Sequence, residues 1–330
     1  MNNIKYIYLL LSIILLCIIT LKIFYYLLFI NIDPELVKIN RIRLLKFIKT
    51  LDTTIDTKFI IPHLELGDNL IINGLIRHYL ENSNVVLVCK YNYKIQLEHM
   101  YSDLLNNINN NKIYLYDING GNIEKINIYN ELPIDYNIKK YFKQNNIDLI
   151  IFNAYNLYYN KIFIYNPNYP SYLYTNLNID ENIQYSKFKI VRNYEKEDKL
   201  YQELVKIIGS KYVIIIEDRK RNLIINRKYI KTKLPIFSIG LNANNKNKKL
   251  DNIRDSNIFN YIKIFENASQ IHSIDSCMIL LIDMLSIKGK IYAHSYVRKI
   301  LFYNSVKYQN PDIRYIKDNN IFNIKLYEKI

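Results

Sequence analysis

A chain of 330 residues exceeds one average domain and has room for two. Half of it is hydrophobic, which excludes a disordered chain. The net charge of +15 points only weakly to an anionic partner, because 61 Ile, 45 Asn, 32 Tyr and 35 Lys against 10 Arg mark a bias toward A/T-rich codons. The lysines are scattered, with no Arg-rich stripe and no recognisable nucleic-acid module. A phosphorylated ligand is therefore compatible, and nucleic acid is not an expected partner.

Residues 6–30, YIYLLLSIILLCIITLKIFYYLLFI, are apolar except for Ser12, Thr20 and Lys22. As a helix they would span a hydrocarbon layer of about 30 Å. No small-residue cleavage site follows, so residues 1–30 are expected to be a single transmembrane anchor rather than a cleaved signal. Lys38, Arg41, Arg43, Lys46 and Lys49 follow the run, against Lys5 before it. That asymmetry favours a single-pass protein whose body faces the cytosol.

Residues 31–57 read as a partly helical juxtamembrane connector. Apolar strands and amphipathic helices then alternate. Strands are expected at 58–63, 85–90, 112–118 and 147–155. Helices are expected at 69–81, 93–105 and 135–146. The Tyr- and Asn-rich stretch 156–195 breaks the rhythm and reads as a crossing region. A helix over 195–210 and a strand over 211–217 open a second series. It continues with a helix over 257–269, a strand at 270–275, a helix over 276–286 and a strand at 290–294. Continuous Ile/Val runs between helices predict parallel sheets covered on both faces. The fold expected is α/β with two Rossmann-like lobes, 58–190 and 191–330, after the anchor. Ligands of such sheets sit at the carboxyl ends of the strands.

Four constellations stand at those ends. In HLELGDN, Gly67 suits a tight turn and Asp68 suits a helix N-cap; His63 and Glu65 add polar groups. A carboxylate there is also suited to take a proton from an alcohol. In QIHSIDSC, His272, Asp275, Ser276 and Cys277 lead into an apolar helix whose first amides would hold an anion, although Ser and Asp also simply cap buried helices. In IIIEDRKR, Glu217 and Asp218 would accept ribose hydroxyls while Arg219 and Arg221 face a diphosphate; the plainer reading is a solvated charged turn. In AHSYVRK, His294 and Arg298 follow the last expected strand.

Absences narrow the field. There is no Walker loop, no G-x-G-x-x-G, no G-x-S-x-G and no D-x-D. Cys17, Cys89 and Cys277 form no C-x-x-C pair, and no cluster has metal-ligand spacing. No metal and no cofactor is expected.

The order strand–LGDN–helix, followed in the second lobe by A-x-x-I-H-x-I-D-S and a helix, resembles the heptosyltransferase-like glycosyltransferases of the GT-B fold. The run FENASQIHSIDSCMILLIDML…KIYAHSYVRK also resembles glycosyltransferases of large DNA viruses and aquatic microbes. The resemblance covers roughly residues 58–300. It implies that Asp68 is the general base, that Asp275, Ser276 and Cys277 form the donor loop, and that Arg221 faces the diphosphate. It further implies a nucleotide-diphospho-sugar co-substrate, an acceptor hydroxyl on a glycan, lipid or protein, and metal-independent, inverting transfer. Cys277 and Met278 stand where the family usually has Gly and a downstream His. A non-catalytic nucleotide- or sugar-binding protein and a nucleotide-sugar epimerase remain alternatives.

Overall fold

The computed structural model describes residues 34–62, 66–105, 111–118, 134–152, 173–240, 245, 247–294 and 309–316, with the single positions Leu16 and Thr20. His63, Glu65, Arg298, most of the apolar run 6–30 and much of the crossing region lie outside them. Among the described residues no helix is long and apolar enough to cross a membrane. Leu16 and Thr20 are both helical, and the Thr20 hydroxyl donates to the Leu16 carbonyl at 2.9 Å.

The chain divides into two units, residues 1–52 with 118–141, and residues 53–117 with 142–330. The first contains helix α1 (Pro34–Ile48). Pro34 costs nothing at a first helical position, and Glu35 and Lys46 each suit the dipole of their own end. Asn40, Leu44 and Ile48 recur every fourth residue and form its buried face. Arg41 pairs with Asp135 at 2.8 Å.

The second unit carries two sheets. One contains β1 (Thr57–Ile61), β2 (Asn84–Lys90), β3 (Ile113–Ile118) and β4 (Ile147–Ile151), in the order β3-β2-β1-β4. β1 runs parallel to both β2 and β4, with Phe59 opposite Val86 and Leu149. The other contains β5 (Val213–Ile216), β6 (Ile236–Ile239), β7 (Gln270–Ile274), β8 (Lys290–His294) and β9 (Ile313–Ile316), all parallel, in the order β6-β5-β7-β8-β9. Val85 to Cys89 and Val213 to Ile215 are wholly buried, as strands covered on both faces must be. The strand order reverses between β1 and β4, and again between β5 and β7. The crevices at those two carboxyl edges are where such sheets take ligands. The expected parallel α/β architecture is therefore present. β6 and β9 were not anticipated: each is a four-residue strand bounded by loop-forming residues, too short to show a period.

The helix expected over 69–81 is two helices, α2 (Leu66–Ile71) and α3 (Asn73–Tyr79). The break has a visible cause. The buried Tyr174 hydroxyl donates to the Ile71 carbonyl at 2.7 Å and accepts from the Leu75 amide at 3.2 Å. Those two groups would bond each other in an unbroken helix, so the hydroxyl is inserted into the ladder. Burial pushes the Tyr174 phenol above its ordinary pKa, which keeps it a donor. Helices α4 (Lys94–Met100), α5 (Ser102–Leu105) and α6 (Tyr136–Gln144) complete the first series, and Phe142 packs against Phe59 with tilted rings whose centres are 5.0 Å apart. Short helix α7 (Ile183–Ser186) leads to α8 (Tyr194–Ile208), where Asn193 caps the Lys196 amide. α9 (Ile262–Glu266) and α10 (Cys277–Met284) cover the second sheet. The helix expected over 257–269 is α9 preceded by a 3₁₀ turn, Ile258–Tyr261.

α3 presses its backbone onto α7. A Cβ added at Gly74 would stand 2.2 Å from the Ile183 carbonyl oxygen, a contact that side-chain rotation cannot relieve. Gly74→Ala is therefore expected to destabilise the fold by about 2–4 kcal/mol, read as a lowered urea midpoint in detergent solution. Tyr174→Phe is expected to cost about 1–2 kcal/mol by the same measurement, because two buried backbone groups lose their shared partner.

Candidate functional site

At the first switch point the sequence expectation needs correcting. Asp68 does not cap a helix: it is the third residue of α2, its carbonyl accepts the Ile72 amide at 3.0 Å, and its side chain is part-exposed. The helix starts earlier because Leu66 and Leu70, one turn apart, are both buried. Gly67 is not a turn residue either. A Cβ there would lie 3.2 Å from Leu280 Cδ1 and 3.7 Å from Cys277 Cβ. The glycine lets α2 lie directly on the first turn of α10. Asp68 and Cys277, which the sequence places in separate constellations, thus flank one helix–helix contact.

At the second switch point, Asp218 and Leu223 exchange both backbone hydrogen bonds, at 3.1 and 2.8 Å, so Arg219, Lys220 and Arg221 sit on a hairpin tip. Asn222 turns it with φ 58°, a conformation Asn tolerates well. Glu217 is wholly buried. One oxygen accepts from Arg219 Nε at 2.8 Å and Arg227 Nη2 at 3.0 Å; the other accepts from the Ile225 amide at 3.3 Å. Asp218 accepts from Arg221 Nε at 2.6 Å and from the Arg221 amide at 3.1 Å. Both carboxylates thus hold arginines, and the expected ribose contacts would compete with these bonds. The arginines keep outward faces: Arg221 is 57% exposed and Arg219 28%.

Behind this hairpin, His272 on β7 and His294 at the end of β8 are buried side by side, Nδ1 to Nε2 at 3.0 Å. Such a contact needs one donor and one acceptor, so at least one of the facing nitrogens is bare. His272 stacks on Tyr292, with ring centres 4.6 Å apart, and its Nε2 lies 3.4 Å from Gln270 Oε1. Burial, aided by the nearby Arg227 charge, pushes His272 down to about 4. The Asp275 amide donates to the His294 carbonyl at 3.2 Å, and the Ser276 hydroxyl caps the Met278 amide at 3.4 Å. Cys277 is part-exposed in the first turn.

The structure thus gathers Glu217, Arg219, His272 and His294 at one edge, with Asp218 and Arg221 on the hairpin outside them. Sequence reading missed Arg227, whose signal was a second basic cluster ten residues after Glu217. It also missed Asp283 in α10, which accepts from the Tyr185 hydroxyl at 2.9 Å and the Asn310 amide at 2.8 Å. Among the described residues no group of three His, Cys, Asp or Glu side chains is arranged to hold a metal ion. An open cavity of about 480 Å³, lined by Thr54, Asp56, Phe142, Lys143, Asn146, Ile147 and Asp148, lies at the amino ends of β1 and β4, the opposite edge from the candidate site.

No protein-family model matches this chain, and no curated protein matches it.

The buried His272 predicts a pH dependence. The folded-state pKa of His272, about 4 against an ordinary 6.5, means that the unfolded chain binds more protons between those values. Stability is therefore full above pH 6.5 and falls as the pH drops toward 4, by roughly 1 kcal/mol per unit. His272→Gln is expected to remove that slope from urea titrations across the same range. Asp283, whose pKa is raised by burial, contributes with the opposite sign in both proteins and cancels in the difference.

Proposed function

We propose that the protein is a membrane-anchored glycosyltransferase of the two-lobed GT-B type that uses a nucleotide-diphospho-sugar without a metal. The observation that supports this reading best is the seating of α2 on α10 at Gly67. It sets Gly67, the residue before the part-exposed Asp68, against Cys277 in the first turn of a helix capped by Ser276. A glycosyl transfer of this kind needs such a carboxylate and such a helix start on opposite sides of one anomeric carbon. The acceptor oxygen attacks that carbon, the bond to the diphosphate breaks, the hydroxyl proton passes to Asp68, and the nucleoside diphosphate departs. Inversion follows from a single displacement, as in the glycosyltransferases this chain resembles.

The departing diphosphate carries charge that must be met without a metal. In this reading the first amides of α10 and the outward faces of Arg219 and Arg221 meet it. Asp218 and Glu217 hold those arginines at their Nε atoms, which orients the remaining guanidinium edge before substrate arrives. Residues 6–30 anchor the protein in a membrane, with the body toward the cytosol. The acceptor is a glycan, lipid or protein hydroxyl.

A second reading, binding without catalysis, is favoured by the same ion pairs. Carboxylates already committed to arginines leave fewer groups for ribose. Two measurements separate the readings. Asp68→Asn is expected to lower kcat by about 10²–10⁴-fold while the melting-temperature rise with the nucleotide-sugar stays as in the unaltered protein. Unchanged turnover in the variant removes Asp68 as base. Donor-induced stabilisation with no turnover in either protein selects the binding module.

A further inference from the structure

We propose that the outer stripe of α1 seats the protein on an anionic lipid surface. At 100° per residue, Glu35, Lys38, Ile39, Ile42 and Lys46 fall within one stripe about 100° wide, opposite the buried Asn40, Leu44 and Ile48, and Lys49 follows in the turn after the helix. Every member of the stripe is exposed, including Ile39 at 51% and Ile42 at 46%. Three ammonium groups stand against one carboxylate. Two large aliphatic side chains held in water between lysines make the pattern of a helix that lies in a headgroup layer. The lysine stems would lie along the acyl boundary and the ammonium groups would reach lipid phosphates and carboxylates.

The occupant follows from chemistry and from position. A protein partner for so narrow a stripe would need its own acidic, apolar-centred groove. An anionic bilayer supplies both properties in any orientation. It also lies within reach, because α1 starts three residues after the apolar run 6–30. The inference rests on the anchor reading for that proximity, though the stripe itself does not depend on it. Each lysine near an anionic surface favours the seated state roughly fivefold, and salt weakens the effect within a Debye length of about 8–10 Å.

The chain contains no Trp, so Ile42→Trp reports from this stripe alone. The full-length variant is reconstituted in phosphatidylcholine discs and in phosphatidylcholine–phosphatidylserine discs. The expected result is blue-shifted emission, quenched by lipids brominated on their acyl chains, in the phosphatidylserine discs only. Lys38→Gln, Lys46→Gln and Lys49→Gln together, or high salt, should return emission to that of a solvent-exposed indole. Ile39→Trp should behave alike, which guards against a local effect of one substitution. Solvent-like emission in both discs overturns the proposal, as does equal burial in both. A blue shift that appears without lipid as protein concentration rises overturns it in favour of a second copy. If the chain fails to enter discs, the anchor reading fails separately. Lysine-dependent sedimentation with phosphatidylserine vesicles then still supports the stripe, and its absence overturns it.

Discussion

One hydroxyl inside one helix ladder sets the layout of the candidate site. With Tyr174 inserted between Ile71 and Leu75, the segment after β1 is two short helices with an offset, and the Ile71 carbonyl and Leu75 amide freed at the break both bond the hydroxyl. The offset lets α2 lie on α10 while α3 lies on α7. Two of the chain's seven glycines, Gly67 and Gly74, stand two turns apart where those backbones come closest. A side chain at Gly74 would meet the Ile183 carbonyl and push α3 off α7, whereas one at Gly67 would press on the Leu280 side chain. The small residues and the tyrosine therefore act together: the glycines permit close approach, and the hydroxyl supplies the bend that makes both approaches possible at once.

The stretch joining the two sheets is held by side chains instead of by a regular ladder. Asn73 bonds the Lys189 backbone in both directions, at 3.0 and 3.3 Å, imitating a strand partner. Arg77 donates to the Lys189 carbonyl at 3.0 Å, and His99 meets the Val191 carbonyl at 2.7 Å. Arg192 then grips Glu197 in α8 and Glu266 in α9. Glu197 is buried, so this ion pair is one whose partner cannot be removed cheaply. His99 also touches Asn257 at 2.8 Å and packs its ring at a tilt against Phe259, which links α4 to the segment ahead of α9.

Charge at the second switch point is balanced locally. Glu217 and Asp218 each have an arginine within 3.0 Å, and burial pushes the pKa of His272 behind them down to about 4. The arginines keep guanidinium edges facing outward, suited to an anionic ligand.

Continuous Val and Ile runs, interrupted by amphipathic helices, determined the parallel α/β plan by themselves, because strands buried on both faces can carry little else. The same runs put Asp68, Glu217, Asp218, His272, Asp275 and His294 at or near strand ends. The reach of local pattern stops at contacts that couple distant residues. Nothing near position 71 announces that Tyr174, about a hundred residues on, will enter its ladder, so one helix was expected where two exist. Gly67 looks like a turn residue locally and proves to be a spacer, because the helix it must admit begins at Cys277. The pairing of Glu217 with Arg227, and of His272 with His294, likewise depends on strand order, which periodicity does not encode. Local sequence decided which segments are strands and helices. Only the tertiary structure decided which of their ends meet, because burial and hydrogen bonding across the chain outweigh the few tenths of a kcal/mol in local preference.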